Sequence, residues 1–147
     1  MRVIPSDFQS MFDDAEIAEI EAHPVHLGGE TQRDAIDLAV GWAEHVRKID
    51  ADRALPWSDH SVWTEHDLAG ALFLRDFLQD ALDQLSPSIR GRLESRVAEA
   101  DEQFRSYTVD DPAGRMAKVA EVDLTGRPWW WHRVPDSGPI AEDLTRY

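Results

Sequence analysis

The alternation of apolar and polar positions predicts a largely helical chain. A first helix is expected over about Asp7 to Ala22, where Asp13 and Glu16 have the spacing of a capping box. A second helix is expected from Thr31, as its N-cap, to about Ile49, because apolar residues recur there at intervals of three or four. Both segments have the pattern of helices that bury one face.

The third and fourth helices have the clearest boundaries. Thr64 is the expected N-cap of the third helix, whose broad apolar face runs from Leu68 to Leu85. Ser86 and Pro87 then end this helix and begin the fourth, since serine favours the N-cap and proline the first helical position. The apolar repeat of the fourth helix continues to about Ser106.

The pattern changes after Pro112. Two β-compatible runs, Val119–Leu124 and Trp129–Val134, flank a turn that contains Gly126, and this arrangement predicts a Trp-rich β-hairpin. The residues from Pro135 onward are expected to form an irregular tail, with a short helical turn at Ile140 to Leu144.

The expected fold class is therefore mainly α. We predict a small bundle of about four helices over residues 1–111, with a Trp-rich C-terminal β-hairpin or irregular tail over residues 112–147 packed on it. The length of 147 residues is typical of one domain, so the whole chain, 1–147, is expected to be a single domain.

Charge and composition narrow the classes of function. The chain has 15 Lys and Arg against 29 Asp and Glu, a net charge of −14, which repels nucleic acid and anionic membrane surfaces. It has no cysteine, which excludes disulfides, thiolate catalysis and cysteine zinc sites. No apolar run has the length of a signal peptide's core or of a membrane span, so we expect a cytoplasmic protein without nucleic-acid or membrane partners.

Three carboxylates form a stripe on the third helix. Asp76, Asp80 and Asp83 are spaced i, i+4 and i+7, which places like charges on one helical face and destabilises the helix slightly. Neighbouring arginines or solvent could compensate this repulsion, and the candidate arginines are Arg75, Arg90, Arg92 and Arg96. The alternative is a cationic partner, which such a surface would attract electrostatically.

Tryptophan is the other unusual feature, with six residues, three of them consecutive. One interpretation is that the run at Trp129 to Trp131 fills the core. The other is that an indole anchors a partner, since Trp is over-represented among interface hot spots. Trp57, Trp130 and His132 are our candidates for such a mixed aromatic and polar surface.

The six histidines allow an alternative hypothesis. His60, His66 or His132 could serve as acid–base groups or ligands in a small enzyme or a metal-binding or ligand-binding bundle. However, the chain has no His-Glu-x-x-His motif, no nucleophile elbow and no phosphate-binding loop. We therefore assign no catalytic residue, no metal ligand and no cofactor from the sequence.

One short segment has a family resemblance. Trp63–Leu72, WTEHDLAGAL, resembles a helix start in DinB-like four-helix bundles, where the motif is Trp-[Ser/Thr]-x-x-Asp-Leu-x-x-His-Leu. The histidine of that motif is a metal ligand in the family. Ala71 stands at the corresponding position here, and the family's later His-x-x-x-His is absent, so the metal function does not carry over.

The sequence favours an interaction protein. Small, acidic chains without catalytic motifs are similar in general character to bacterial immunity and antitoxin proteins, which block cationic active sites with carboxylates and aromatic side chains. We predict a basic protein partner, such as a bacterial toxin domain, whose cations would meet Asp76, Asp80 and Asp83. The enzyme or ligand-binding alternative stays open, as does a homodimer formed through exposed tryptophans.

Overall fold

A computed structural model describes residues 3–147, and these residues are 59% helical. The elements follow in the order α1 (Ser6–Gln9), α2 (Asp14–Glu21), β1 (Val25–Gly28), β2 (Thr31–Arg33), α3 (Ala35–Asp52), α4 (Glu65–Asp83), α5 (Pro87–Tyr107), β3 (Thr108–Asp110), α6 (Arg115–Ala120), a 3₁₀ helix (Trp129–His132), β4 (Arg133–Pro135) and α7 (Pro139–Leu144). The mainly α class is confirmed. The number of about four helices is wrong, because the described residues contain seven α-helices.

The residues group into two units. The first contains the described residues up to Ala43 together with Leu74–Glu99, and the second contains Glu44–Phe73 together with Ala100–Tyr147. The three long helices α3, α4 and α5 each contribute residues to both units. The expected single domain over residues 1–147 stays a prediction.

The predicted first helix is two helices in the structure. The Asp13 carboxylate accepts a hydrogen bond from the Glu16 amide at 2.8 Å, and the Glu16 carboxylate accepts one from the Asp13 amide at 3.0 Å. This capping box is confirmed, and it also explains the break. An N-cap residue has extended backbone, with ψ 174° at Asp13, so a helix cannot continue through it.

Arg92 of α5 secures this segment within the first unit. Its guanidinium donates to the Met11 carbonyl at 2.7 Å, pairs with the Glu16 carboxylate and lies 4.9 Å from the Phe12 ring centroid. The Glu19 carboxylate also accepts the Ser86 amide at 3.0 Å, at the start of α5. The buried apolar residues of the first unit include Phe8, Phe12, Ile20, Ile36, Leu82 and Leu93.

A short hairpin precedes α3 and shifts its expected start. Strands β1 and β2 pair antiparallel, with His26 opposite Gln32 and an irregularity before Gly28. Thr31 lies in β2, so its prediction as an N-cap is wrong. Asp34 has that role instead, because its carboxylate accepts the Asp37 amide at 3.0 Å.

The second unit contains a pair of strands that close a long connection. Strands β3 and β4 pair antiparallel, with Val109 opposite Val134. Arg133 reinforces the pair, because its guanidinium donates to the Thr108 carbonyl at 2.6 Å and meets the Asp110 carboxylate at 3.2 Å. The connection between the two strands contains α6 and the tryptophan run.

The predicted hairpin between Val119–Leu124 and Trp129–Val134 is wrong. Val119 belongs to α6, the three consecutive tryptophans form a 3₁₀ helix, and the strand that follows them pairs with β3. Trp131 is fully buried and packs edge-on against Phe73, with ring centroids 4.9 Å apart. Burial of these rings favours the helical turn, since an alternating strand would direct neighbouring indoles to opposite faces.

The predicted helical turn at Ile140 to Leu144 is confirmed as α7. Gly138 precedes it with φ 91°, and a Cβ there would lie 2.7 Å from the Arg53 Cα. Arg53 in turn pairs with Asp50 at 2.7 Å and with Asp136 at 3.0 Å. The backbone around Gly138 therefore packs directly against the end of α3, which fixes the start of α7.

Candidate partner-binding site

The predicted aspartate stripe lies in the first unit, on α4. Asp80 and Asp83 are exposed, and Asp76 is half-buried. Partial burial, together with the charges of Asp76 and Asp83, raises the pKa of the Asp80 carboxyl. Like charges therefore act on one another along this face, as the spacing predicts.

One of the four candidate arginines, Arg90, compensates the stripe through a direct ion pair. The Arg90 guanidinium lies 3.0 Å from the Asp83 carboxylate and also pairs with Glu94. Arg92 pairs with Glu16, and Arg96 lies 3.6 Å from both Asp7 and Glu99. Arg75 is buried and donates to Gln79 at 3.2 Å. Within residues 3–147, the Asp80 carboxylate has no ion pair.

Trp57 lies in the loop between α3 and α4, in the second unit. Its side chain is 56% exposed, the highest value among the tryptophans. Its Nε1 donates to the Asp143 Oδ1 at 2.7 Å. This hydrogen bond holds an exposed indole in one orientation, which is the arrangement expected of an interface anchor.

Behind Trp57 two carboxylates are buried. Glu65, in the first turn of α4, is 3% exposed, and Asp143, in α7, is 5% exposed. The Arg146 Nη2 lies 3.0 Å from Glu65 Oε2 and 3.4 Å from Asp143 Oδ1. His66 Nε2 is 3.7 Å from the other Glu65 oxygen. Buried carboxylates need such partners, because an uncompensated charge inside a protein is costly.

A cavity of about 250 Å³ opens beside these groups. Its lining includes the two tryptophans of this region, Trp57 and Trp63, and three acidic residues, Asp59, Glu65 and Asp143. A second cavity, of about 240 Å³, shares Trp57, Asp143 and Arg146. Exposed aromatic surface and fixed negative charge thus meet at one place.

The loop that carries Trp57 is held by α3. The Asp52 carboxylate accepts the Trp63 amide at 2.8 Å and pairs with Lys48 at 2.7 Å. The Lys48 ammonium also donates to the Ser61 carbonyl at 2.7 Å. Thr64 caps α4 as predicted, since its Oγ1 accepts the His66 amide at 3.2 Å.

The other two predicted aromatic candidates lie in the 3₁₀ helix. Trp130 is only 3% exposed and packs edge-on against Trp129, with ring centroids 5.7 Å apart. A partner anchor needs an accessible ring, so burial in this structure argues against that role for Trp130. His132 is exposed, and its Nε2 lies 3.2 Å from the Arg127 carbonyl.

The histidines of the alternative hypothesis are all on the surface. His60, His66 and His132 are each exposed. Over residues 3–147, no group of three or more His, Asp or Glu side chains is placed to hold one metal ion.

Sequence reasoning did not find the arrangement of Glu65, Asp143 and Arg146. Glu65 directly follows the N-cap of the predicted third helix, and the other two lie in the predicted tail. The Glu65–Arg146 pair spans 81 positions in the chain, so no local spacing indicates it.

In comparisons with known proteins, no family model matched the chain, and no curated protein or solved structure matched it significantly. Among the described residues, no helix combines the length and apolarity needed to span a membrane.

Proposed function

We propose that this chain is a non-enzymatic interaction protein that binds and neutralises a basic protein partner, in the manner of bacterial immunity and antitoxin proteins. The observation that carries the proposal is the stripe of Asp76, Asp80 and Asp83. Within it, Asp80 has two like-charged neighbours and a raised pKa. A partner's cation at this face would relieve that repulsion.

The net charge of −14 supports the same proposal. A strongly acidic surface accelerates encounter with a basic protein, and salt screens this attraction over about 10 Å at 0.1 M. We expect the stripe to contribute mainly to association, because exposed charge pairs add little to the stability of a complex.

Trp57 has a different role in the proposal. Its exposed, hydrogen-bonded indole offers a large apolar contact that is already oriented, which lowers the entropy cost of binding. We expect Trp57→Ala to accelerate dissociation of the complex by about tenfold or more, as for an interface hot spot. Because the side chain is more than half exposed, we expect this variant to fold, with a modest loss of stability since the buried Asp143 carboxylate loses one donor.

Capture of the partner, followed by titration, tests the proposal. The immobilised chain is exposed to lysate of its native host, bound proteins are identified, and the basic candidate is purified and titrated against wild type. The proposal expects a dissociation constant that rises with salt, and loss of the partner's own activity on binding. A purified partner that is acidic, or one whose activity continues in the complex, would contradict it.

A matched pair of variants separates the effect of the stripe on association from the effect of the overall net charge. Asp76→Asn, Asp80→Asn and Asp83→Asn together remove three charges from the stripe. Three exposed carboxylates elsewhere serve as the control when changed to Gln, namely Glu30, Glu44 and Glu121. We expect the stripe variant to slow association by about tenfold and the control by about twofold. Equal effects would mean that the stripe is not the binding face.

A further inference from the structure

We infer that the cavity beside Trp57 receives an arginine side chain of the basic partner, in place of Arg146. This inference rests on the proposed function for the identity of the partner, but the cavity and its charges can be tested without it. The site lies wholly in the second unit, between the loop of Trp57, the start of α4 and α7.

The charges around the cavity favour a cation. Glu65 and Asp143 are buried, Asp59 is half-buried, and Arg146 is the only cation that lines the cavity among the described residues. Hydrogen bonds from the Ser61 hydroxyl and amide lower the pKa of Asp59, so this carboxylate is ionised. Acidic residues of the lining therefore outnumber its one arginine by three to one, which leaves an excess of negative charge.

Arg146 shows which chemistry the carboxylates accept. Its Nη2 bridges Glu65 and Asp143 at 3.0 and 3.4 Å. The side chain of Arg146 is nevertheless 63% exposed, so it can leave the carboxylates without opening the core. The guanidinium of a partner's arginine would make the same contacts as Arg146 but would be more buried. Charge-assisted hydrogen bonds are stronger where less water surrounds them.

The indoles and the volume fit an arginine side chain. A guanidinium stacks on an aromatic face, and the Trp57 ring is fixed in place by Asp143. The cavity has a volume of about 250 Å³, just below the ~300 Å³ at which pockets for drug-sized ligands begin. An arginine side chain has seven heavy atoms, and its methylenes can contact Val62 and Pro139 of the lining.

A small probe tests the cavity directly. N-acetyl-arginine amide is titrated into ¹⁵N-labelled protein while the Trp57 indole N–H resonance is followed, with N-acetyl-citrulline amide as the neutral control. We expect saturation by the arginine probe with a dissociation constant of about 1–10 mM and no saturation by citrulline. Absence of saturation by arginine, or equal response to both probes, would overturn the inference.

Variants decide whether the named carboxylates and Arg146 are responsible. Asp143→Asn should weaken probe binding by about tenfold, whereas Asp14→Asn, a matched control at an exposed carboxylate of α2, should leave it within about twofold. Arg146→Gln should strengthen probe binding by about threefold or more, because it removes the competing guanidinium. If Arg146→Gln binds the probe more weakly than wild type, the inference that a partner's arginine takes the place of Arg146 is contradicted. If Asp143→Asn fails to fold, Trp57→Leu provides the loss-of-binding test, read from the backbone amide resonances of Val62 and Thr64 in the cavity lining.

The failure of this inference is distinguishable from failure of the proposed function. If the isolated partner binds Asp143→Asn as tightly as wild type, the partner does not use the cavity, and the proposed function is unaffected. If no basic partner exists, the proposed function fails, while the probe titration still decides whether the cavity takes an arginine side chain.

Discussion

The two acidic regions of this chain accommodate like charges in opposite ways. The stripe on α4 leaves Asp80 and Asp83 exposed, with one arginine paired to Asp83. The site behind Trp57 buries Glu65 and Asp143, which share one cation, Arg146, while Asp143 also accepts a hydrogen bond from the Trp57 indole. Water screens the charges of the stripe, whereas well-placed hydrogen bonds must stabilise the buried charges behind Trp57.

This difference determines what each region can do. Solvated charges act over a distance and cost little stability, so the stripe suits attraction of a basic protein. Buried charges are strongly coupled to their partners, so the second site suits close recognition of one cationic group. Carboxylates therefore promote the encounter with a partner in the stripe and specific recognition of a cationic group at the site behind Trp57.

Gly138→Ala should lower the free energy of unfolding more than any other variant below. It strains the backbone that leads into α7, next to the buried site behind Trp57, and leaves the stripe unchanged. A Cβ at this position would meet the Arg53 backbone at 2.7 Å, and the residue has φ 91°. We expect a loss of about 3 kcal/mol in the free energy of unfolding, measured by urea denaturation. The displaced start of α7 should also shift the Trp57 indole N–H resonance.

Gly126→Ala is the control for backbone strain alone. Gly126 has φ 76°, but a Cβ there would meet no atom within 4 Å. We expect it to cost about 1 kcal/mol and to leave the Trp57 resonance unchanged. Equal costs for the two variants would show that the close approach of Gly138 to Arg53 is not important.

Replacement of arginine in the two regions sharpens the comparison. Arg146→Ala leaves the buried Glu65 and Asp143 without their shared cation, and we expect a loss of about 2 kcal/mol in unfolding free energy. Arg90→Ala removes only an exposed partner of the stripe, and its melting temperature should stay within about 1 °C of wild type. If Arg90→Ala lost more stability than Arg146→Ala, our description of the stripe as solvated and of the site behind Trp57 as buried would be contradicted.

The smallest effect is expected at Asp80. Its pKa is raised in the folded state, so the ionised carboxylate destabilises the fold above that pKa, and protonation relieves this cost. Asp80→Asn should raise the melting temperature at pH 7 by about 1 °C. The difference in melting temperature between this variant and wild type should shrink as the pH falls through the Asp80 pKa, as calorimetry at pH 7 and pH 4 would show. A gap that widens at low pH would contradict this sign.

The sequence predicted the fold best where local signals act. The start of α5 at Pro87, the N-cap at Thr64 and the capping box at Asp13 all appear in the structure. The C-terminal region was less predictable, because β4 pairs with β3 across more than twenty residues rather than with the adjacent run. Tertiary packing of Trp131 also outweighed the β-preference of its segment.

Prediction of the site had the same limit. Helical spacing was enough to identify the stripe, and Trp57 was identified as an aromatic candidate. The contact of Trp57 with Asp143 joins residues 86 positions apart, and only the folded chain brings them together. Trp130 shows the converse, since residue type alone could not reveal that its ring is 3% exposed.

The most direct test of the account is the association rate constant of the purified basic partner, measured by stopped flow over a range of salt concentrations. We predict that the rate constant for wild type falls steeply with salt, and that the variant with Asp76, Asp80 and Asp83 changed to Asn starts about tenfold lower and falls less steeply. Identical rates and salt slopes for the two proteins would contradict the proposed role of the stripe.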